Sequence, residues 1–127
     1  MPGLIHHELT KRVIGAAIEV HRQLGPGLLE SVYEQCLVHE LAMCSITFRR
    51  QVPVSAAYRG HLLPSAFKAD LIVGDELLVE LKAVDHVLPV HKAQVITYLR
   101  LMNLRRGLLI NFNVPRLADG IQSILNG

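Results

Sequence analysis

The first third of the chain places apolar side chains at steps of three and four residues. Between residues 8 and 24 these positions are Leu9, Val13, Ala16, Ala17, Val20 and Leu24. One apolar face at this period is typical of an amphipathic helix, which we assign to residues 8–23. Gly25-Pro26-Gly27 should end that helix, and a second helical pattern runs from Leu29 to about Met43. We expect two helices that meet at a rigid Gly-Pro-Gly corner.

After Ser45 the apolar period shortens to two, which is typical of β-strands. The segments with this pattern are residues 47–58, 61–63, 67–73 and 77–84. Arg59-Gly60 fits a hairpin turn, Pro64-Ser65 should interrupt the pattern, and residues 74–76 fit a tight connection. The pattern predicts an antiparallel meander of three strands.

The last third of the chain returns to a helical period. Pro89 suits the first turn of a helix, and residues 90–102 carry apolar side chains at helical spacing. Residues 108–112 are expected to form a buried strand, and residues 115–125 a short closing helix. The element order ααβββαβα predicts an α/β fold with a mixed central sheet flanked by helices.

Composition fits one domain spanning residues 1–127 with an aliphatic core. Half of the 127 residues are apolar, but the chain has three Tyr, three Phe and no Trp, so aliphatic side chains must fill the interior. No apolar run approaches the roughly 20 residues needed to cross a bilayer, and the N-terminus lacks a signal-peptide pattern. We therefore expect a cytoplasmic protein without a membrane partner.

Cysteines and net charge add little to this picture. Cys36 and Cys44 would lie about 12 Å apart along the predicted second helix, so we expect reduced thiols rather than a disulfide. The formal net charge of +2 does not by itself predict nucleic-acid binding. The basic pairs Arg49-Arg50 and Arg105-Arg106 belong either to a nucleic-acid-binding face or to ordinary solvated surface.

The hairpin formed by residues 67–73 and 77–83 carries the candidate chemistry. Because side chains two residues apart share a face of a strand, Glu80 and Lys82 project to one side. A three-residue connection between the strands would set Asp70 directly opposite Glu80, on the same face as Lys82. A two-residue turn would instead place the two acids on opposite faces.

Two carboxylates directly across a sheet repel each other, so a purely structural hairpin would normally avoid this placement. A divalent cation such as Mg²⁺ would remove the repulsion, and it prefers carboxylate, water and phosphate oxygens. Lys82 could then orient or deprotonate an attacking water. The alternative is a solvated ladder of ion pairs that includes Lys68. The apolar neighbours of these charges favour the first interpretation, since unpaired buried charges are costly.

Six segments of the chain also carry a family pattern. One is Gly27-Leu28-Leu29-Glu30-Ser31-Val32-Tyr33, and the others are residues 14–21, 69–73, 79–83, 89–94 and 108–115. In this order they resemble the PD-(D/E)XK nuclease superfamily and, within it, the small proteins of the GxxExxY family. The resemblance implies a restriction-endonuclease-like core of a helix, three antiparallel strands, a helix and a fourth strand. Ala69 stands where the superfamily usually has a proline.

The resemblance also implies roles for individual residues. Asp70 and Glu80 would be metal ligands, the Leu81 carbonyl a further ligand, and Lys82 the catalytic lysine. Glu30 matches an additional acid of the superfamily, which could hold a metal-bound water or a second ion. The alternative is that Glu30 only stabilises a helix N-terminus. Tyr33, one turn later, would support the site or belong to the core with a polar tip.

Gln94 and Tyr98 resemble the QxxxY pattern of RecB-like exonucleases in this superfamily, where these residues line the site and contact the nucleic-acid backbone. His91 and Lys92 lie one turn earlier and are candidate phosphate contacts. The structural alternative for Tyr98 is an amphipathic core position. Histidines without ligand spacing are expected at the surface; they are His6, His7, His39, His61 and His86.

The leading hypothesis is hydrolysis of phosphodiester bonds with Mg²⁺ or Mn²⁺, in DNA rather than RNA. A core of this size offers little surface for sequence readout, so we expect cutting that depends on nucleic-acid structure, on a homodimer or on a partner. One alternative is a non-catalytic nucleic-acid- or partner-binding module that retains the nuclease fold. Another is hydrolysis of a small phosphorylated metabolite.

Overall fold

The computed structural model describes residues 7–127, which form a five-stranded sheet with helices on both faces. The helices are α1 (Glu8–Leu24), α2 (Glu30–Met43) and α3 (Pro89–Met102). The strands are β1 (Phe48–Tyr58), β2 (His61–Val73), β3 (Leu77–Lys82), β4 (Arg106–Asn111) and β5 (Ile121–Leu125). The predicted α/β class and mixed sheet are confirmed.

The strands lie in the sheet in chain order, from β1 to β5. β1, β2 and β3 form the predicted antiparallel meander, β4 runs parallel to β3, and β5 runs antiparallel to β4. Because parallel neighbours need a crossover, α3 connects β3 to β4. Val73 pairs with Leu77, so the connection between β2 and β3 has the three residues expected from the sequence.

The core has two layers, one on each face of the sheet. Leu77, Val79 and Leu81 of β3 pack in the layer beneath α1 and α2, whereas Leu78 packs in the layer beneath α3. This division follows from the alternation of side chains along a strand. It also explains why β3 is apolar at almost every position: both of its faces are covered by helices.

The predicted closing helix over residues 115–125 is wrong. A short 3₁₀ turn covers Leu117–Gly120, and the residues that follow form β5 at the edge of the sheet. Ile110 pairs with Ile121, so β5 satisfies backbone groups that β4 would otherwise expose. The apolar spacing of this segment fits either structure, and the free edge of β4 decides between them.

The predicted interruption at Pro64-Ser65 is also wrong, because β2 continues through both residues to Val73. Ser65 adopts a positive φ of 54°, and the pairing with β1 shifts register between Val54 and Ala56. A bulge of this kind absorbs the local irregularity without ending the strand. The Arg59-Gly60 turn is confirmed by the pairing of Tyr58 with His61.

Gly120 allows a test of how the segment after β4 packs against the end of that strand. A Cβ at this position would overlap the Asn111 carbonyl, whereas a Cβ at Gly15, within α1, would meet nothing within 4 Å. Gly120→Ala should therefore destabilise the protein by about 1–3 kcal/mol. Gly15→Ala should stabilise it by up to about 1 kcal/mol. Urea denaturation measures both, and equal midpoints for Gly120→Ala and the wild type would contradict the tight packing of the 3₁₀ turn against the end of β4.

The cysteines and most of the histidines expected at the surface are as the sequence predicts. Cys36 and Cys44 are free thiols, as expected. His39, His61 and His86 are exposed, whereas His7 is half-buried and its Nδ1 accepts a hydrogen bond from the Thr10 backbone N–H. His6 lies outside the described residues. Within residues 7–127, no helix combines the length and apolarity needed to cross a membrane.

Candidate functional site

The strands β2 and β3 separate where Asp70 and Glu80 face each other. Their backbone pairing ends at Leu71 and Val79. Beyond that point the Asp70 N–H donates to Oε2 of Glu80 at 2.6 Å, and the Leu81 N–H donates to Oδ2 of Asp70 at 2.8 Å. Each carboxylate accepts a bond that a main-chain carbonyl would accept in a regular ladder. The two acids therefore lie together in the gap between the strands.

The backbone is also irregular on the β1 side of Asp70. The β1–β2 pairing joins Arg50 to Leu71 and Val52 to Ala69, but skips Gln51. Gln51 has a positive φ of 48°, which is uncommon for a residue with a side chain. Strained positions of this kind cluster at functional sites. The irregularity thus marks the same point of the sheet as the paired acids.

The corner before α2 determines where Glu30 lies. The Tyr33 hydroxyl donates to the Gly25 carbonyl at 2.6 Å and accepts from the Leu28 N–H at 3.1 Å. Its fully buried ring stacks on Phe112, with centroids 4.4 Å apart. Tyr33 is therefore a core residue whose hydroxyl stabilises the Gly-Pro-Gly corner through two hydrogen bonds. α2 begins immediately after this corner, at Glu30.

Glu30 is solvent-exposed but lies within electrostatic range of the hairpin acids. Partial burial and, after it, the negative charge of Asp70 raise the pKa of Glu30. The charge of Glu30 in turn contributes to the raised pKa of Glu80. Within residues 7–127, however, no three His, Cys, Asp or Glu side chains are grouped closely enough to hold one ion. The structure brings Glu30 near the site, within electrostatic range of Asp70 and Glu80.

Glu34 is a fourth acid of the site and is not among the residues predicted from the sequence. Its buried carboxylate accepts hydrogen bonds from Arg50, at 3.0 and 3.1 Å, and from Gln51, at 2.9 Å. Its charge contributes to the raised pKa of Asp70. The available signal was spacing, because Glu34 follows Glu30 by one helical turn and shares its face.

Both arginines of the basic pair Arg49-Arg50 form ion pairs with acidic side chains. Arg50 pairs with the buried Glu34, and Arg49 pairs with Asp75 at 3.3 Å. The Arg49 pair lies at the surface, where such contacts contribute little to stability. Arg50 instead balances a buried negative charge. In the described structure, both arginines are thus already paired with acidic side chains.

Burial dominates the electrostatics of the two hairpin acids. Glu80 is only 4% exposed, and burial followed by the charge of Asp70 raises the pKa of Glu80 to about 8. Burial likewise raises the pKa of Asp70, against the hydrogen bond from the Leu81 N–H. Both shifts have the sign expected when a carboxylate loses water and faces another acid. Additional positive charge would favour ionisation of both acids.

Lys82 and the Leu81 carbonyl complete the hairpin side of the site. The positive charge of Lys82 acts to lower the pKa of Asp70, Glu80 and Glu30, so its ammonium lies near all three. The N–H and C=O of one strand residue point the same way. Since the Leu81 N–H reaches Asp70, the Leu81 carbonyl faces the same gap.

Helix α3 contributes Tyr98 from the other face of the sheet. Tyr98 is 4% exposed, and burial followed by the charges of Glu80 and Asp70 raises its pKa. Gln94, one turn earlier, lines a groove with Tyr98. His91 has a local contact instead, because its Nδ1 accepts from the Leu88 N–H at 3.0 Å in the first turn of α3. Lys92 is exposed.

The donor atoms fit an open site for a hard divalent cation. Each hairpin carboxylate commits one oxygen to a backbone N–H, which leaves its second oxygen as a ligand atom. The Leu81 carbonyl adds another oxygen. Mg²⁺ is commonly bound by one or two carboxylates and completes its shell with water and phosphate. The arrangement therefore suits a hydrated ion whose remaining ligands are water and the phosphate oxygens of a substrate.

Comparison with known proteins adds an independent finding. The family model described as the PD-(D/E)XK nuclease superfamily matches residues 7–124. The matched region contains every site residue described above. Searches of the curated proteins and of the solved structures found no match.

Proposed function

Because the chain belongs to the PD-(D/E)XK nuclease superfamily, we propose that it hydrolyses phosphodiester bonds in DNA with Mg²⁺ or Mn²⁺. Nucleases of this superfamily generally use divalent metal ions. The observation that carries the proposal is the reciprocal hydrogen bonding of Asp70 and Glu80 in the gap between β2 and β3. It holds the buried Glu80 and the half-buried Asp70 carboxylates near the Lys82 ammonium, where a cation and a phosphate would both be stabilised.

In this proposal, Asp70 and Glu80 hold the cation together with the Leu81 carbonyl. A divalent cation bound there would supply charge stabilisation for the phosphate and make an attacking water more acidic. The Lys82 ammonium orients that water or neutralises charge that develops on the phosphate. Glu30, at the exposed edge of the site, accepts a hydrogen bond from a bound water.

We further propose that the chain belongs to the GxxExxY branch of the superfamily. The contacts of Tyr33 support this assignment, because they give the motif a physical purpose. Tyr33 fastens the corner that contains Gly27, and the corner places the first residue of α2, Glu30, near the hairpin. The motif thereby accounts for the position of Glu30 near the hairpin acids.

The proposed substrate class follows from size. If residues 1–127 act as one domain, its small surface is suited to recognising nucleic-acid structure rather than a long sequence. Gln94 and Tyr98 border the site on the α3 side and are the proposed backbone contacts, with His91 and Lys92 as phosphate contacts beyond them. A homodimer would extend this surface, and we include it as a second arrangement to be tested by sedimentation.

One observation favours a second candidate, a nucleic-acid- or partner-binding module without turnover. The backbone hydrogen bonds of Asp70 and Glu80 satisfy one oxygen of each acid without any ion. Within the described part of the chain, no closed set of ion ligands is formed. Such a site could persist as a structural feature of the sheet.

Cleavage assays separate the two candidates. We expect the wild-type protein to cut single-stranded, double-stranded or branched DNA with Mg²⁺ or Mn²⁺, and to lose activity in a chelator. Asp70→Asn should reduce the rate by about 10²–10⁴-fold, because a charged ligand of the ion is lost. Binding without metal-dependent cutting would support the module instead. Undiminished cutting by Asp70→Asn would show that the site is wrongly assigned.

A further inference from the structure

A groove lies between β2 and α3, on the α3 side of the sheet. It has a volume of about 270 Å³ and is lined by Phe67, Val90, Ala93, Gln94, Thr97 and Tyr98. Phe67 is 38% exposed, whereas Tyr98 is 4% exposed. The two rings are tilted by 42°, with centroids 5.4 Å apart. Tyr98 thus supports the Phe67 ring, which presents aromatic surface to the solvent.

Tyr98 connects the groove with the acids. Its side chain lines the groove, and the charges of Glu80 and Asp70 contribute to its raised pKa. Phe67 precedes Asp70 by three residues in β2, which corresponds to about 10 Å along the strand. A nucleic-acid strand advances about 3.4 Å per stacked nucleotide. A base on Phe67 would therefore lie within a few nucleotides of a phosphate at the acids.

The charge around the groove also suits a nucleic-acid strand. The six residues that line the groove include no Asp or Glu. Lys68 follows Phe67 directly and is exposed. An exposed aromatic ring beside a basic side chain is a combination that single-strand binding surfaces use.

We propose that Phe67 stacks on an unpaired base of the substrate and makes the protein select single-stranded or splayed DNA over a closed duplex. This inference rests on the proposed nuclease function and assigns a substrate feature to the same site. In a duplex the faces of internal bases are covered by their neighbours. Phe67 can engage a base face only where the strand is unpaired. Gln94 and Thr97 add polar groups along the groove that can contact the edge of the base.

Binding measurements test the stacking without requiring cleavage. With Ca²⁺ in place of Mg²⁺, Phe67→Ala should weaken binding of a single-stranded oligonucleotide by about 5- to 100-fold. Phe67→Trp should retain the affinity, and a blunt duplex should be nearly insensitive to all variants. Tyr58→Ala removes another exposed aromatic, 65% exposed at the turn between β1 and β2, and should leave binding unchanged. If Phe67→Ala does not fold, Phe67→Leu keeps apolar bulk without the ring face.

A coupling experiment identifies the base as the partner of Phe67. An oligonucleotide with one abasic position near the cut site should bind the wild type less tightly, but should bind Phe67→Ala no worse than the intact oligonucleotide does. This non-additivity is expected when both changes remove one contact. Additive losses, or equal affinity of the wild type for single strands and duplexes, would overturn the inference. Metal-dependent cleavage with no effect of Phe67→Ala would overturn the stacking inference and leave the proposed nuclease function intact. Coupled binding without cleavage would overturn the nuclease function and leave the stacking of Phe67 on a base intact.

Discussion

In a chelator at about pH 8, Glu80→Gln should unfold at a higher temperature than the wild type. The pKa of Glu80 is raised from 4.5 to about 8 in the folded protein, first by burial and then by the charge of Asp70. The folded state therefore holds a proton that the unfolded state has released. A raised folded-state pKa for an acid makes stability fall as the pH rises between these two values.

The expected size of this effect is large for one side chain. Each unit of pKa corresponds to about 1.4 kcal/mol, so Glu80 should cost on the order of several kcal/mol of stability by about pH 8. The glutamine side chain of the variant cannot ionise and resembles the protonated acid in shape. The two proteins should therefore converge near or below about pH 4.5, where the Glu80 carboxyl is protonated in both the folded and the unfolded state. Thermal unfolding across this range measures the difference.

Two controls connect this prediction with the proposed cation site. Glu40→Gln removes a carboxylate on the same fold, at a position of α2 outside the site, and should not reproduce the stabilisation. Adding Mg²⁺ or Mn²⁺ should stabilise the wild type more at high pH than at low pH, because the proposed site binds the ion through ionised acids that are brought together only in the folded state. A wild-type melting temperature that stays constant between about pH 5 and 8 in chelator would show that Glu80 remains ionised throughout.

The register of the hairpin could be predicted once the length of its turn was chosen. The sequence left a two-residue and a three-residue turn open, and the three-residue connection over residues 74–76 places both acids on one face. That arrangement pairs Val73 with Leu77, as observed. It also sets Asp70 beside Glu80. The division of β3 between two core layers similarly follows from its nearly unbroken apolar sequence.

The failures of the sequence analysis share a different physical origin. Residues 121–125 are too few for their spacing to distinguish a helix from a strand, and the unpaired edge of β4 determines the outcome. Glu34 was missed because its partners, Arg50 and Gln51, belong to another element. The Gln51 contact also depends on a positive φ, which no residue pattern in this segment signals. Tertiary contacts, rather than local preference, decided each case.

Lys82→Met should separate binding of the ion from cleavage. The variant removes the ammonium but keeps an unbranched side chain at a half-buried position. Loss of this group should slow single-turnover DNA cleavage by about 10²–10⁴-fold, because in the proposed mechanism the ammonium orients the attacking water or neutralises the phosphate. The acids and the Leu81 carbonyl remain in place, so Mn²⁺ should still bind. Calorimetry with Mn²⁺ and a cleavage time course would measure the two effects separately.

The same variant has a second expected signature, since the charge of Lys82 acts to lower the pKa of Asp70, Glu80 and Glu30. Its removal should raise those pKa values further and shift Mn²⁺ binding to higher pH, because the ion competes with protons for the carboxylates. Lys11→Met, an exposed lysine on α1, should change neither property. Wild-type cleavage by Lys82→Met would exclude Lys82 as the catalytic lysine. Lost Mn²⁺ binding at every pH would instead indicate that Lys82 holds the acids in position.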